Sequence, residues 1–151
     1  MAFSTDSLGA QLEVKLNRPR YLGISQKALA LVAVLFGVIT IFAGSRALTG
    51  TDPGYVVFLP LLIYNTAMGF VYVGVGTIAW RSLNPGKNGA GAIFLLNLTV
   101  LAAISVVYTS GGAVAIDSLR AMTLRTVVWF VIFIGLWWLS RRNLGTERQV
   151  Q

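Results

Sequence analysis

The chain has 151 residues, of which 56% are hydrophobic and 11% charged, with a mean hydropathy of +0.73. Water-soluble domains carry about 25% charged residues, so the composition excludes an ordinary soluble fold and specifies one small membrane domain. The net charge of +7, from 12 basic and 5 acidic residues, marks cytoplasmic helix ends and contact with anionic lipid in so apolar a chain, not a nucleic-acid interface.

Residues 1–25 are polar and mixed, an N-terminal cytoplasmic or interfacial segment. The apolar run that begins near Lys27 is too long for the core of a signal peptide and reads as a retained span. Within the leader, residues 11–17 (QLEVKLN) alternate apolar and polar as a strand does. Leu8, Leu12 and Leu16 equally share one helix face, so both forms stay open. Pro19 ends the leader, because proline disfavours helix at the residue before it.

The first span covers about residues 26–48. Ala30, Ala33, Gly37, Thr40 and Gly44 line one stripe of it, with small-xxx-small pairs at Ala33/Gly37 and Thr40/Gly44. That pattern lets membrane helices approach closely, here first of all inside the bundle. Residues 50–54 (GTDPG) form a turn.

The second span, 55–80, has no charge in 26 residues, and about 20 suffice to cross the hydrocarbon core. Asn65, Gly69, Tyr72 and Gly76 follow one another at helical spacing and share a face. Pro60, in its first turns, removes the bond to the Val56 carbonyl and predicts a bend.

Residues 82–88 (SLNPGKN) read as a loop. The third span, about 89–109, carries Asn97 and Tyr108 on one face, and 110–112 (SGG) break it. Asp117 or Ser118 is the expected N-cap of the fourth span, about 120–140. That span ends in Trp137 and Trp138. The transmembrane domain closes at 141, and 142–151 form a polar cytoplasmic tail.

Four spans put both termini on one side. Lys15, Arg18, Arg20, Lys27, Arg81, Lys87, Arg141, Arg142 and Arg148 fall there, and only Arg46, Arg120 and Arg125 on the other. Lys and Arg concentrate in cytoplasmic loops, so both termini are expected in the cytoplasm, in a plasma membrane of bacterial or archaeal type. Trp80, Trp137, Trp138 and Tyr21 fall at the cytoplasmic boundary, Tyr55 and Tyr108 at the outer one, as an aromatic belt requires.

Cysteine and histidine are both missing. That removes thiol chemistry, ordinary His/Cys metal and haem sites, and the commonest general base. The carboxylates Asp6, Glu13, Asp52, Asp117 and Glu147 are scattered. None lies inside a span, where a proton-coupled exporter would need one. No catalytic residue, metal site or cofactor is expected.

Two polar groups stand out instead. Arg46, Asp52, Asp117, Arg120 and Arg125 gather at the outer end. Arg125 lies about 8 Å from the midplane at 1.5 Å per residue, where an arginine must snorkel, pair or face a wet cavity. Read functionally, Arg125 with Arg46 and Arg120 holds an anionic or carbonyl group. Read structurally, Arg125 snorkels and Arg120 pairs with Asp117. Asn65 and Asn97, with Tyr64, Thr66, Tyr72, Thr99 and Tyr108 nearby, either line a polar pocket or bond each other or the backbone and fix helix register.

The expectation is an all-α, antiparallel four-helix transmembrane bundle without catalytic groups of its own. Its first functional reading is an accessory or scaffold subunit of a membrane complex, with membrane-protein partners or further copies of itself; Ala33, Gly37, Thr40, Gly44, Gly69 and Gly76 are its helix-packing residues. Its second is a binding or transport protein for a small amphipathic or anionic ligand, lipid or quinone-like, in an outward-facing polar pocket. A third, weaker reading is an enzyme or redox subunit whose reactive group belongs to a bound cofactor.

Overall fold

The computed structural model describes residues 20–50, 59–112 and 114–148. The leader with its alternating stretch, the turn at 51–54, Asp52, Tyr55 and the Val56 carbonyl lie outside the described residues. The chain forms an antiparallel bundle of four helices: α1 (Arg20–Leu48), α2 (Leu59–Arg81), α3 (Leu83–Thr109) and α4 (Ile116–Arg148). Each contains a stretch long and apolar enough to cross a membrane, and the protein is a multi-pass membrane protein. Helices adjacent in sequence are adjacent in space, and α4 closes the ring against α1. The α1–α2 pair packs most extensively and α3–α4 next, with slighter seams between α2 and α3 and between α1 and α4.

Helix boundaries follow from which backbone groups have partners. The expected loop at 82–88 is not a loop. Only Ser82, in extended conformation, separates α2 from α3. Pro85 then falls in the first turn of α3, where helix N–H groups have no intrahelical partner and a proline removes nothing. Gly86 makes this reversal possible, since a Cβ there would run into Ala79 of α2. Pro60 is likewise the second residue of α2 and takes no bond from the described helix.

At the start of α4, Ala115 is the capping residue. Its carbonyl accepts from the Ser118 and Leu119 N–H groups, and the expected caps Asp117 and Ser118 lie inside the first turn. Asp117 there still favours the helix dipole. The helix also continues to Arg148 instead of stopping before Arg142, because no proline intervenes.

The α1–α2 seam is made by the small residues. Ala30, Ala33, Gly37, Thr40 and Gly44 are all buried in α1, and Asn65, Gly69, Tyr72 and Gly76 in α2. A Cβ at Gly37 would come within 2.9 Å of the Gly69 carbonyl oxygen and the Val73 nitrogen, both backbone atoms that cannot swing aside. Gly69 faces Ile41, Gly76 faces Val34, and Gly44 receives Thr66. The two backbones therefore approach closely over several turns, with the side chains of Val34, Ile41, Thr66 and Val73 seated against the glycines.

Larger side chains fill the space across the ring. Met68 and Tyr72 of α2, Ile93 of α3, and Trp129, Ile132 and Leu136 of α4 form the central core. A second cluster of Leu61, Ile104, Val114 and Met122 closes the end nearest Arg46. Outward faces are apolar as well, as with Leu35, Ile39, Phe42, Leu95 and Val131, the pattern of helices solvated by lipid.

The opposite end carries exposed Trp80, Trp137 and Trp138. Lys27 lies 5.7 Å from the Trp80 ring, Arg141 4.1 Å from Trp137 and Arg142 3.7 Å from Trp138. Cations stacked on amphipathic rings suit the headgroup level of a bilayer. Gln26 donates to the Ala79 carbonyl at 2.7 Å, satisfying one of the last carbonyls of α2. Ser140 donates to Asn84 at 3.0 Å and ties α4 to α3.

Two glycine substitutions separate packing from helix propensity. Gly37→Ala is expected to cost about 1–3 kcal/mol through overpacking against backbone. Gly74 has nothing near its virtual Cβ, so Gly74→Ala is expected to be neutral or to stabilise by about 0.5–1 kcal/mol. Unfolding of both variants in detergent micelles measures the difference, and equal effects would contradict the seam described.

Candidate ligand site at the bundle centre

Six threonine and serine hydroxyls within the spans are occupied by their own helices. Thr40, Thr66, Thr77, Thr99, Ser105 and Thr126 each donate to the carbonyl four residues back, a bond that needs no neighbour. Asparagine and tryptophan side chains cannot satisfy themselves so simply, and they set the chemistry of the interior.

Asn97 is the hub. It is fully buried in α3, and its Oδ1 accepts from the Tyr72 hydroxyl at 3.0 Å and the Tyr64 hydroxyl at 3.2 Å. Tyr72, also fully buried, packs between Phe36 of α1, with ring centroids 6.0 Å apart, and Trp129 of α4, at 4.8 Å. Tyr72, Asn97 and Trp129 each lie close to the middle of their span. All four helices thus contribute at one level.

The hub is incompletely bonded. Asn97 Nδ2 and Trp129 Nε1 are buried donors without a partner, and Asn65 Oδ1 is a buried acceptor without one. Turning the Asn97 amide over would give both phenol oxygens an N–H donor and put the carbonyl where Nδ2 now stands. A buried polar group left unbonded costs about 1–3 kcal/mol.

Arg125 lies one turn from Trp129, about 6 Å along the axis at 1.5 Å per residue. It is half-buried and within electrostatic reach of the Tyr64 and Tyr72 hydroxyls.

The structure gathers Asn97, Tyr72 and Arg125 in one region and leaves other candidates apart. Arg46 is exposed, 5.8 Å from the Phe42 ring. Arg120 bonds Asp117 at 3.2 Å with both side chains exposed, so the outer arginines do not converge on Arg125. Tyr108 is exposed at the end of α3. Asn65 is buried in α2 but does not bond Asn97, whose carbonyl is taken by the tyrosines. Tyr64, expected near the two asparagines, does join the hub, and Trp129 is the member that the sequence reading did not single out. Trp129 had a signal: it is the one tryptophan at mid-span, whereas the other three stand at span ends. Among the described residues no acidic cluster able to hold a metal is present.

Compared with protein-family models, curated proteins and solved structures, the chain matches none.

The hub geometry predicts unequal costs. Tyr64→Phe removes one bond from an oxygen that keeps another and is expected to cost about 0.5–1.5 kcal/mol. Asn97→Leu strands two phenols and is expected to cost more than twice as much. Urea unfolding in micelles tests this, and an Asn97→Leu variant as stable as the parent would show that the network carries no weight.

Proposed function

We propose that the chain is a multi-pass membrane protein, without catalytic groups of its own, that binds a small amphipathic molecule through a carbonyl or anionic oxygen at the Asn97–Trp129 hub. The observation that carries the reading is the pair of buried N–H donors on Asn97 and Trp129 that have no acceptor. A ligand oxygen supplies what both lack, and Arg125 adds favourable potential for partial negative charge in a low-dielectric interior. The flat, aromatic walls of Tyr72 and Trp129 favour a planar head. A lipid carbonyl and a quinone-like ring share these features.

Charge supports an orientation. Of the described basic residues, Arg20, Lys27, Arg81, Lys87, Arg141, Arg142 and Arg148 stand at the tryptophan-rich end, against Arg46, Arg120 and Arg125 towards the other. By the positive-inside tendency the tryptophan-rich end, with both termini, faces the cytoplasm of a bacterial or archaeal plasma membrane.

A second reading, an accessory subunit of a membrane complex or a homo-oligomer, draws on the outer face of α1. Leu31, Leu35, Val38 and Phe42 are exposed there at the spacing of a helix–helix seam. Purification in mild detergent separates the two. A constant stoichiometric partner supports the second reading; a lone chain that carries a bound small molecule supports the first.

The ligand test is chemical. Solvent extraction of the purified chain is expected to release an oxygen-bearing, lipid-soluble compound that Asn97→Leu loses while remaining folded. Identical extracts from parent and variant would remove the hub from ligand binding. Orientation is tested separately. The chain has no cysteine, so Thr49→Cys and Asn88→Cys place single thiols at opposite ends. An impermeant thiol reagent on intact cells is expected to label the first and not the second, and the reverse pattern would invert the topology.

A further inference from the structure

The interior donors face an access problem. Rim cations do not lead to them: Arg46 lies over Phe42 and Arg120 bonds Asp117, both exposed. Beside the hub, however, the lipid-facing side of α3 and α4 holds an open groove of about 280 Å³ lined by Phe94, Thr126, Val127 and Phe130. The Thr126 hydroxyl is spent on the Met122 carbonyl at 2.9 Å, which leaves its methyl group for contact. Phe94 and Phe130 meet across α3 and α4 with centroids 5.1 Å apart.

The groove and the hub share one level. Phe94 precedes Asn97 by one turn of α3, and Thr126 precedes Trp129 by one turn of α4, while Phe130 follows Trp129 directly. The same two turns of each helix thus present carbon surface outward and unbonded N–H groups inward. A molecule with an oxygen-bearing head and a hydrocarbon tail matches both halves.

Resting on the ligand-binding reading above, we propose that the ligand is a lipid-soluble molecule drawn sideways from the bilayer between α3 and α4. Its tail lies in the Phe94–Thr126–Val127–Phe130 groove, and its carbonyl oxygen accepts from Asn97 and Trp129. An apolar groove and unbonded donors at one level of α3 and α4 together select this occupant. A water-soluble anion has no use for the groove, and an ordinary acyl chain has none for the donors.

The test uses the full chain in phosphatidylcholine vesicles, with Trp80, Trp137 and Trp138 replaced by Phe so that Trp129 is the sole fluorophore. The probes are a benzoquinone ring bearing a long alkyl tail and the same ring without it, and each is expected to quench Trp129 saturably. Val127 is exposed, so Val127→Phe fills the groove without disturbing the core.

That change is expected to weaken the tailed probe about tenfold, about 1.4 kcal/mol, and to leave the tail-less ring unchanged. Phe130→Leu, which thins the groove wall, is expected to act in the same selective direction. Equal effects on both probes, or none, would overturn the lateral groove and leave the hub standing. Failure of either probe to quench the parent saturably would overturn the hub reading as well.

Discussion

In a bilayer the backbone and every buried polar group must find partners within the protein, because the hydrocarbon offers none. The interaction on which this bundle turns is the Asn97 amide held between two tyrosine hydroxyls at mid-span. It gives the apolar interior a fixed address. Apolar faces slide on one another with small penalties, whereas two phenols of α2 aimed at one oxygen of α3 admit one rotation and one depth for each helix. Trp129 and Phe36 then pack on Tyr72 from α4 and α1, so the choice made at Asn97 is passed to all four helices.

The glycine seam makes that arrangement attainable. With Gly37 against the Gly69 carbonyl and Gly44 against Thr66, α1 and α2 approach backbone to backbone and behave as one unit. Van der Waals contact along such a seam replaces the hydrophobic drive that is missing between helices in lipid. The α3–α4 pair forms the second unit, and the hub bridges the two where packing is slighter.

Much of this was legible in the residues. Span number followed from hydropathy, and the buried face of α2 from the spacing of Asn65, Gly69, Tyr72 and Gly76. The start of α3 was not, because SLNPGKN has turn chemistry at nearly every position; only the position of Pro85 within a first turn shows that it is also good helix-opening chemistry. The outer arginines read as one group because sequence places them at one end. It does not reveal that Arg120 is engaged by Asp117 and that Arg46 stays with Phe42 on α1. Tyr64 was placed near the asparagines but given no partner, because it stands beside the buried stripe of α2 and a long side chain reaches further than its backbone position implies. Partner choice at Asn97 depends on the rotation of α3 against α2, which periodicity leaves free.

The central claim is that the bundle keeps an unanswered hydrogen-bond donor at its centre for a ligand oxygen. The indole N–H resonance of Trp129, observed by NMR in lipid nanodiscs with the other tryptophans replaced, reports on this directly. After removal of bound small molecules it should appear at the position of a free, water-shielded N–H and move downfield on addition of a lipid-soluble ketone. A resonance already at its hydrogen-bonded position in the stripped protein, and unmoved by any acceptor, would contradict the account.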